Sequence, residues 1–189
     1  SNQGTAWKET VFSDASWSSG NAQLGYGDGD EATVVGYGSN ASNKYVTTYF
    51  RKTISVANAS SFTGFTLNLK RDDGAIVYIN GTQRFRSNMP TGTISYTTKA
   101  STAASDDGNT VQTISLPAGT LVNGTNTIAV EIHQSSVTSA DISFDLRLSG
   151  VGGTDQTAPT VSTYSPLDNA TNISRIANLV LTFNETAQN

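Results

Sequence analysis

The 189-residue chain is predicted to fold as an all-β, jelly-roll β-sandwich followed by a shorter β segment. Runs rich in Val, Ile, Thr, Tyr and Phe recur at close spacing, as expected of short strands. Turn dipeptides separate these runs, and no window sustains the 3.6-residue period of a helix. Only 14% of the residues are charged, unlike the charge-rich, aromatic-poor chains that stay disordered.

In chain order, strands are predicted over 45–56 (YVTTYFRKTISV), 62–69 (FTGFTLNL), 75–79 (AIVYI), 83–86, 112–116 (QTISL), 127–133 (TIAVEIH) and 142–148 (ISFDLRL). The pair Asn80-Gly81 predicts a tight hairpin between the third and fourth, because both residues tolerate positive φ. Asp73-Gly74, Asp107-Gly108 and Asn123-Gly124 mark further turns. A short turn near 57–61 is the one helix-like feature expected. Ile128, Val130 and Ile132 alternate with Ala129, Glu131 and His133, and Ile142, Phe144, Leu146 and Leu148 alternate with Ser143, Asp145 and Arg147. Such strands bury one face each, and two of these faces packed together make a sandwich.

The domain limits expected are 1–149 for the sandwich, 150–159 (GVGGTDQTAP) for a Gly-rich, proline-closed linker, and 160–189 for the opening of a second β domain. Thirty residues bury no core alone, so the sequence reads as a piece of a longer chain.

Composition excludes several classes of function. Net charge is −4, and no basic cluster extends beyond pairs such as Arg51-Lys52, which argues against a nucleic-acid or anionic-membrane partner. The absence of Cys removes thiol catalysis, thiolate zinc sites and disulfides. No apolar run reaches the ~20 residues of a helical membrane span, and any export signal is expected outside this sequence. Seven N-x-S/T sequons occur in a chain so rich in Asn, Ser and Thr that they carry little weight.

Two acidic segments are candidate Ca²⁺ ligands. Asp72 and Asp73 precede Gly74 and a strand, and Asp28, Asp30 and Glu31 lie in GDGDE. Ca²⁺ takes six to eight oxygens, and adjacent carboxylates on loops supply them. The competing reading is a turn, in which Asp accepts backbone amides and Gly supplies positive φ. Asp106-Asp107-Gly108 reads as a turn only. Tyr26 and Tyr37, flanked by glycines, are the ring candidates for stacking on a sugar, whereas Trp7 and Trp17 read as anchors of the N-terminal stretch. Arg84, Arg86 and Asn88 are polar candidates for the same glycan site. Arg51, in mid-strand, is expected to pair internally, with Asp72, Asp73 or Glu131. His133 is the single histidine, and no Gly-x-Ser-x-Gly turn is present. With one histidine and no nucleophile elbow, no enzyme activity is expected.

Four segments in order, 24–35 (LGYGDGDEATVV), 45–53 (YVTTYFRKT), 71–86 (RDDGAIVYINGTQRFR) and 126–146 (NTIAVEIHQSSVTSADISFDL), resemble the galactose-binding-like jelly-roll modules of secreted bacterial hydrolases and surface proteins. The resemblance spans roughly 4–149, including GTAWKETVFSDASW at 4–17. Those modules usually carry a further strand before the Gly4–Trp7 motif, a pattern from which this chain departs. Residues 160–189 resemble the first strands of a bacterial Ig-like domain. The resemblance implies a non-catalytic, secreted or cell-surface accessory module that binds polysaccharide or another glycan beside neighbouring domains, with Ca²⁺ as a structural ion. The alternative it leaves open is a structural or adhesive spacer with no small ligand.

Overall fold

The computed structural model describes residues 2–152, 160–165, 167, 171 and 180–183. Chain contacts divide the protein into two units, Ser1–Gly153 and Thr154–Asn189. The first unit contains β1 (Leu24–Tyr26), β2 (Thr33–Val34), β3 (Thr47–Val56), β4 (Phe62–Asp72), β5 (Gly74–Ile79), β6 (Thr82–Ser87), β7 (Gln112–Pro117), β8 (Gly124–His133) and β9 (Ile142–Gly152). Its helical content among the described residues is two single 3-10 turns, Ala6–Lys8 and Ala59–Ser61.

The strands form an all-β sandwich. One sheet has the order β2-β1-β9-β4-β7 and the other β3-β8-β5-β6. Leu67 and Leu69 of β4, Ile142 and Phe144 of β9, and Leu116 of β7 project from the first sheet. They meet Val77 and Ile79 of β5 and Ile128, Val130 and Ile132 of β8. Each such side chain taken from water contributes about 1.5–3 kcal/mol, so this shared layer is the main force holding the sheets together.

Two features depart from the sequence expectation. The outer face of the second sheet is not solvated. Ile76, Tyr78 and Ala129 form a second apolar cluster under Trp7, Met89 and Ala100, and Glu131 and His133 on that face are buried. The N-terminal segment and the β6–β7 connection cover a surface that alternation alone assigns to water. The expected linker also begins later, because Gly150, Val151 and Gly152 continue β9 opposite Phe65, Gly64 and Phe62. Ladder bonds come from the backbone, so a Gly-rich stretch extends a strand wherever a neighbour supplies partners.

The Asn80-Gly81 turn forms as predicted, with φ of 51° and 77°. Asn80 also accepts the Thr127 amide at 2.8 Å, tying the hairpin to β8. β1 and β2 were not foreseen: they are short, and their pairing is with β9 and each other. In the second unit, β10 (Val161–Ser165) and β11 (Val180–Phe183) pair antiparallel. The rest of the expected Ig-like segment, and residues 153–159 of the expected linker, lie outside the described residues.

Candidate functional site

The N-terminal segment carries one wall of an open concavity. Trp7 is 2% exposed, with its ring centroid 4.6 Å from that of Tyr49 and 5.7 Å from that of Tyr78. Arg51 of β3 holds the segment that follows. Its guanidinium donates to Asp14 Oδ2 at 3.0 Å, to the carbonyls of Glu9 and Phe12 at 3.2 Å each, and to that of Trp7. Arg51 thus pairs internally, but with Asp14 rather than with Asp72, Asp73 or Glu131. The planar fork of an arginine suits this convergence of acceptors.

Past this clamp, Trp17 packs edge-on against Phe12 with centroids 5.8 Å apart. Between it and the β2–β3 region lies an open groove of about 560 Å³. The groove is walled by the rings of Trp17, Tyr45 and Tyr49, with the hydroxyls of Ser18, Ser19, Thr33 and Thr48 among them. A second concavity of about 390 Å³ shares Trp17 and Tyr49 and reaches the core residues Ile128, Val130 and Phe144. The sandwich is therefore incompletely closed along the edge where β3 and β1–β2 end their respective sheets. Rings beside hydroxyls on an open trough suit a flat ligand with one apolar face and many hydroxyl groups.

None of the five residues singled out for a glycan lines this groove. Tyr26 is 5% exposed, and its hydroxyl accepts Gln134 Nε2 at 2.6 Å. Burial, then the negative charges of Asp141 and Asp73, push its ionisation well above the ordinary tyrosine range. The expectation of an exposed Tyr26 is therefore corrected: its ring closes the core beside Ile142. Tyr37 stays at the surface, edge-on to Tyr26 at 5.2 Å, and the Lys44 ammonium sits 5.0 and 5.2 Å from the two ring centroids. Arg86 donates to the carbonyls of Pro90 at 2.6 Å and Gly92 at 3.1 Å. Asn88 donates to the carbonyls of Asp73 and Thr102 at 3.0 and 2.7 Å. Both shape the β6–β7 connection, and Arg84 is half-buried on β6 beside them. These residues do not converge with Tyr37. Sequence reasoning missed Tyr45 and Tyr49, which read as ordinary strand aromatics, and took Trp17 for an anchor.

His133 is fully buried. Its Nδ1 donates to the Thr98 carbonyl at 2.6 Å, and its Nε2 lies 3.3 Å from Glu131 Oε2. Glu131 Oε1 accepts the Tyr78 hydroxyl at 2.8 Å. Burial, then the Glu131 charge, raises the Tyr49 hydroxyl to about 12. This is a sealed polar cluster beneath the β6–β7 connection.

The acidic candidates gather at one end of the first sheet. Asp28 follows β1, Asp107 lies in the β6–β7 connection and Asp141 directly precedes β9. One carboxylate oxygen from each falls within 4.8 Å of the others. Carboxylate oxygens of Asp28, Asp30 and Glu31 likewise lie within 4.8 Å of one another. A cavity of about 240 Å³ opens between Gln23, Asp28, Asp107, Asn109 and Ser143. Ser143 donates to Asp28 Oδ2 at 2.6 Å, and Gln23 donates to Asp30 at 2.8 Å. Asp72 pairs directly opposite Ser143 across the β4–β9 ladder, so their side chains leave the sheet on the same face.

The predicted ligands divide by role. Asp73 Oδ1 accepts the Ala104 amide at 2.8 Å and Oδ2 the Ser135 amide at 2.6 Å. Burial alone would raise the Asp73 carboxyl, but these bonds and the neighbouring Asp72 bring it below the ordinary range. Glu31 accepts the amides of Asp28 and Gly29 at 3.0 Å each, and backbone bonds hold its carboxyl low. Asp73 and Glu31 thus act as loop clips, and the Glu31 carboxylate also stands in the acidic group with Asp28 and Asp30. Asp72 is 2% exposed, and its Oδ1 has no hydrogen-bond partner. Burial first, then Asp73, Asp141 and Asp107, push its carboxyl up to about 8. Burial, then Asp28 and Asp107, push Asp141 to about 6. Asp107 and Asp141 were not foreseen as site residues, the first being read as part of a turn. No protein-family model matches this chain, and no curated protein matches its sequence.

Proposed function

We propose that the sandwich is a non-catalytic binding module that holds a carbohydrate chain in the groove walled by Trp17, Tyr45 and Tyr49. The observation that carries this reading is the set of three rings interleaved with side-chain hydroxyls on an open trough of about 560 Å³, a volume within the range of small-ligand sites. Tyr45 is 43% exposed, so its ring is available to a passing chain. A trough rather than an enclosed pocket suits a polymer that enters and leaves along its length. The resemblance of the four strand motifs to galactose-binding-like modules supports the same ligand class. It also supports a secreted or cell-surface setting, as an accessory to neighbouring domains of a larger bacterial protein.

The test is retention of the full chain on a panel of plant, algal and bacterial polysaccharides in affinity gels, followed by titration of any hit. Binding that weakens at least tenfold in Trp17→Ala and Tyr45→Ala supports the groove. Complete silence across the panel sinks it. The second reading, a spacer without a small ligand, draws on the internal engagement of Arg86, Asn88 and Tyr26. It is the reading that remains if the panel is silent.

A further inference from the structure

We propose that the groove's ligand is a neutral carbohydrate chain bearing isolated carboxylate-substituted sugars, and that Lys52 is the residue that selects the carboxylate. The proposal rests on the glycan reading of the groove. The first concavity, walled by Trp17, Tyr45 and Tyr49, has no charged side chain in its lining. The second adjoins it through Trp17, Ser18, Ser19, Tyr49 and Phe50, and its lining adds Asp14, Arg51 and Lys52. Asp14 and Arg51 neutralise each other at 3.0 Å. The carbonyls of Trp7, Glu9 and Phe12 take the rest of the Arg51 guanidinium. Lys52 is exposed, and among the described residues it has neither a hydrogen bond nor an ion pair.

Lys52 also stands on an unusual face for a surface lysine. It lies directly opposite Ile128 on the β3–β8 ladder, and side chains opposite one another leave the sheet on the same side. That side is the core, where Ile128 is 7% exposed. Phe50 and Ile54, two residues to either side of Lys52, pack there too. The core is open at this point. β1 accompanies β9 only from Ile142 to Phe144, so the first sheet narrows past that row. The second concavity, of about 390 Å³, reaches Ile128, Val130 and Phe144. An ammonium over an apolar floor beside an indole ring matches a sugar whose C–H face rests on carbon and whose carboxylate meets the cation. A net charge of −4 and an uncharged trough disfavour a polyanion. One cation beside a neutral trough fits a chain whose charged sugars are sparse. An inward-pointing lysine on an edge strand also hinders strand addition, a role that predicts self-association of Lys52→Met with no change in ligand preference.

The test is affinity-gel retention of the full chain on glucuronoxylan, glucuronate-bearing arabinogalactan and xanthan, each beside the same polymer with its carboxyls reduced to alcohols. At least one native polymer should retain wild type roughly fivefold more strongly than its reduced form, the worth of one accessible charge pair. The difference should shrink as NaCl rises from about 20 to about 500 mM. Lys52→Met should erase the difference at unchanged Tm, and Lys52→Arg should restore it. Polygalacturonate, charged at every sugar, should retain the protein less than the best native polymer. Equal retention by native and reduced polymers overturns the proposal and leaves the groove reading standing. A preference that persists in Lys52→Met, with or without self-association of that variant, does the same. Stronger retention by polygalacturonate overturns the division into a neutral trough and one cation. Silence on every polymer, reduced forms included, removes the groove reading itself and the proposal with it.

Discussion

The Asp73 carboxylate accepts the backbone amide of Ser135 at 2.6 Å, across 62 positions of sequence. Its other oxygen takes the Ala104 amide, so one side chain staples two connections to the β4–β5 corner. Its neighbour Asp72 is buried with its carboxyl against that of Asp73 and within the field of Asp141 and Asp107. Adjacent and chemically identical residues are thus a structural clip and a buried acid kept from its ordinary ionisation, and substitutions at the two should act in opposite directions.

Asp73→Ala removes two charge-assisted bonds and leaves buried amides unpaired, which should cost about 3–5 kcal/mol. Asp73→Asn keeps one acceptor and should lose less. Urea unfolding of the three proteins measures both, and a loss under about 1 kcal/mol for the alanine variant would contradict the staple.

The protein should lose stability as pH rises. Asp72 titrates near 8 when folded against an ordinary 3.8, so between those values the native state holds a proton that the unfolded chain has released. Stability then falls with pH across about 4 to 8 and levels above it. Asp141, raised to about 6, adds to the slope in the lower half of that window. Melting curves in EDTA from pH 5 to 8 should show the decline, and Asp72→Asn should flatten it. A Tm that climbs through that range would contradict the burial of Asp72.

Arg51→Met keeps the length of the side chain but abolishes the bonds to Asp14 and to the carbonyls of Trp7, Glu9 and Phe12. The loss should be about 2–4 kcal/mol. Limited proteolysis should then cut between residues 10 and 20, where wild type resists. Glycan affinity should fall as well, because the released segment carries Trp17.

Trp7 and Trp17, ten residues apart, should separate stability from binding. Trp7 is 2% exposed in the second apolar cluster, so Trp7→Ala should cost about 3–5 kcal/mol in chemical unfolding. Trp17 lines the groove and is half-buried. Trp17→Ala should leave the unfolding midpoint within about 1 kcal/mol of wild type while reducing glycan retention. If both variants lose stability equally, Trp17 is an anchor and not a groove wall.

The local pattern of residues carried the strands. Alternation in 127–133 and 142–148, the apolar run AIVYI and the Asn80-Gly81 turn are interactions between near neighbours, so each strand from β3 to β9 was legible before any fold was known. β1 and β2 were not, because strands of three and two residues offer no period to read. The burial of Glu131 and His133 was equally hidden. Whether a strand's second face meets water depends on what covers it, and here the cover is the β6–β7 connection over His133 and, more than a hundred residues away, Trp7 over Ala129.

The candidate sites divide along the same line. The sequence by itself determined that the chain would build a β-sandwich with acidic turns at strand ends, since turn chemistry and alternation act over a few residues. Only the tertiary structure decided that Asp28 would meet Asp107 and Asp141, that Asp73 would turn to amides, and that Tyr26 would close the core while Tyr45 and Tyr49 faced a groove. The physical reason is register. Once β9 pairs with β1 on one side and β4 on the other, Ser143 stands opposite Gly25 and Asp72 alike, and every side chain near that row is placed by long-range backbone pairing rather than by its own neighbours.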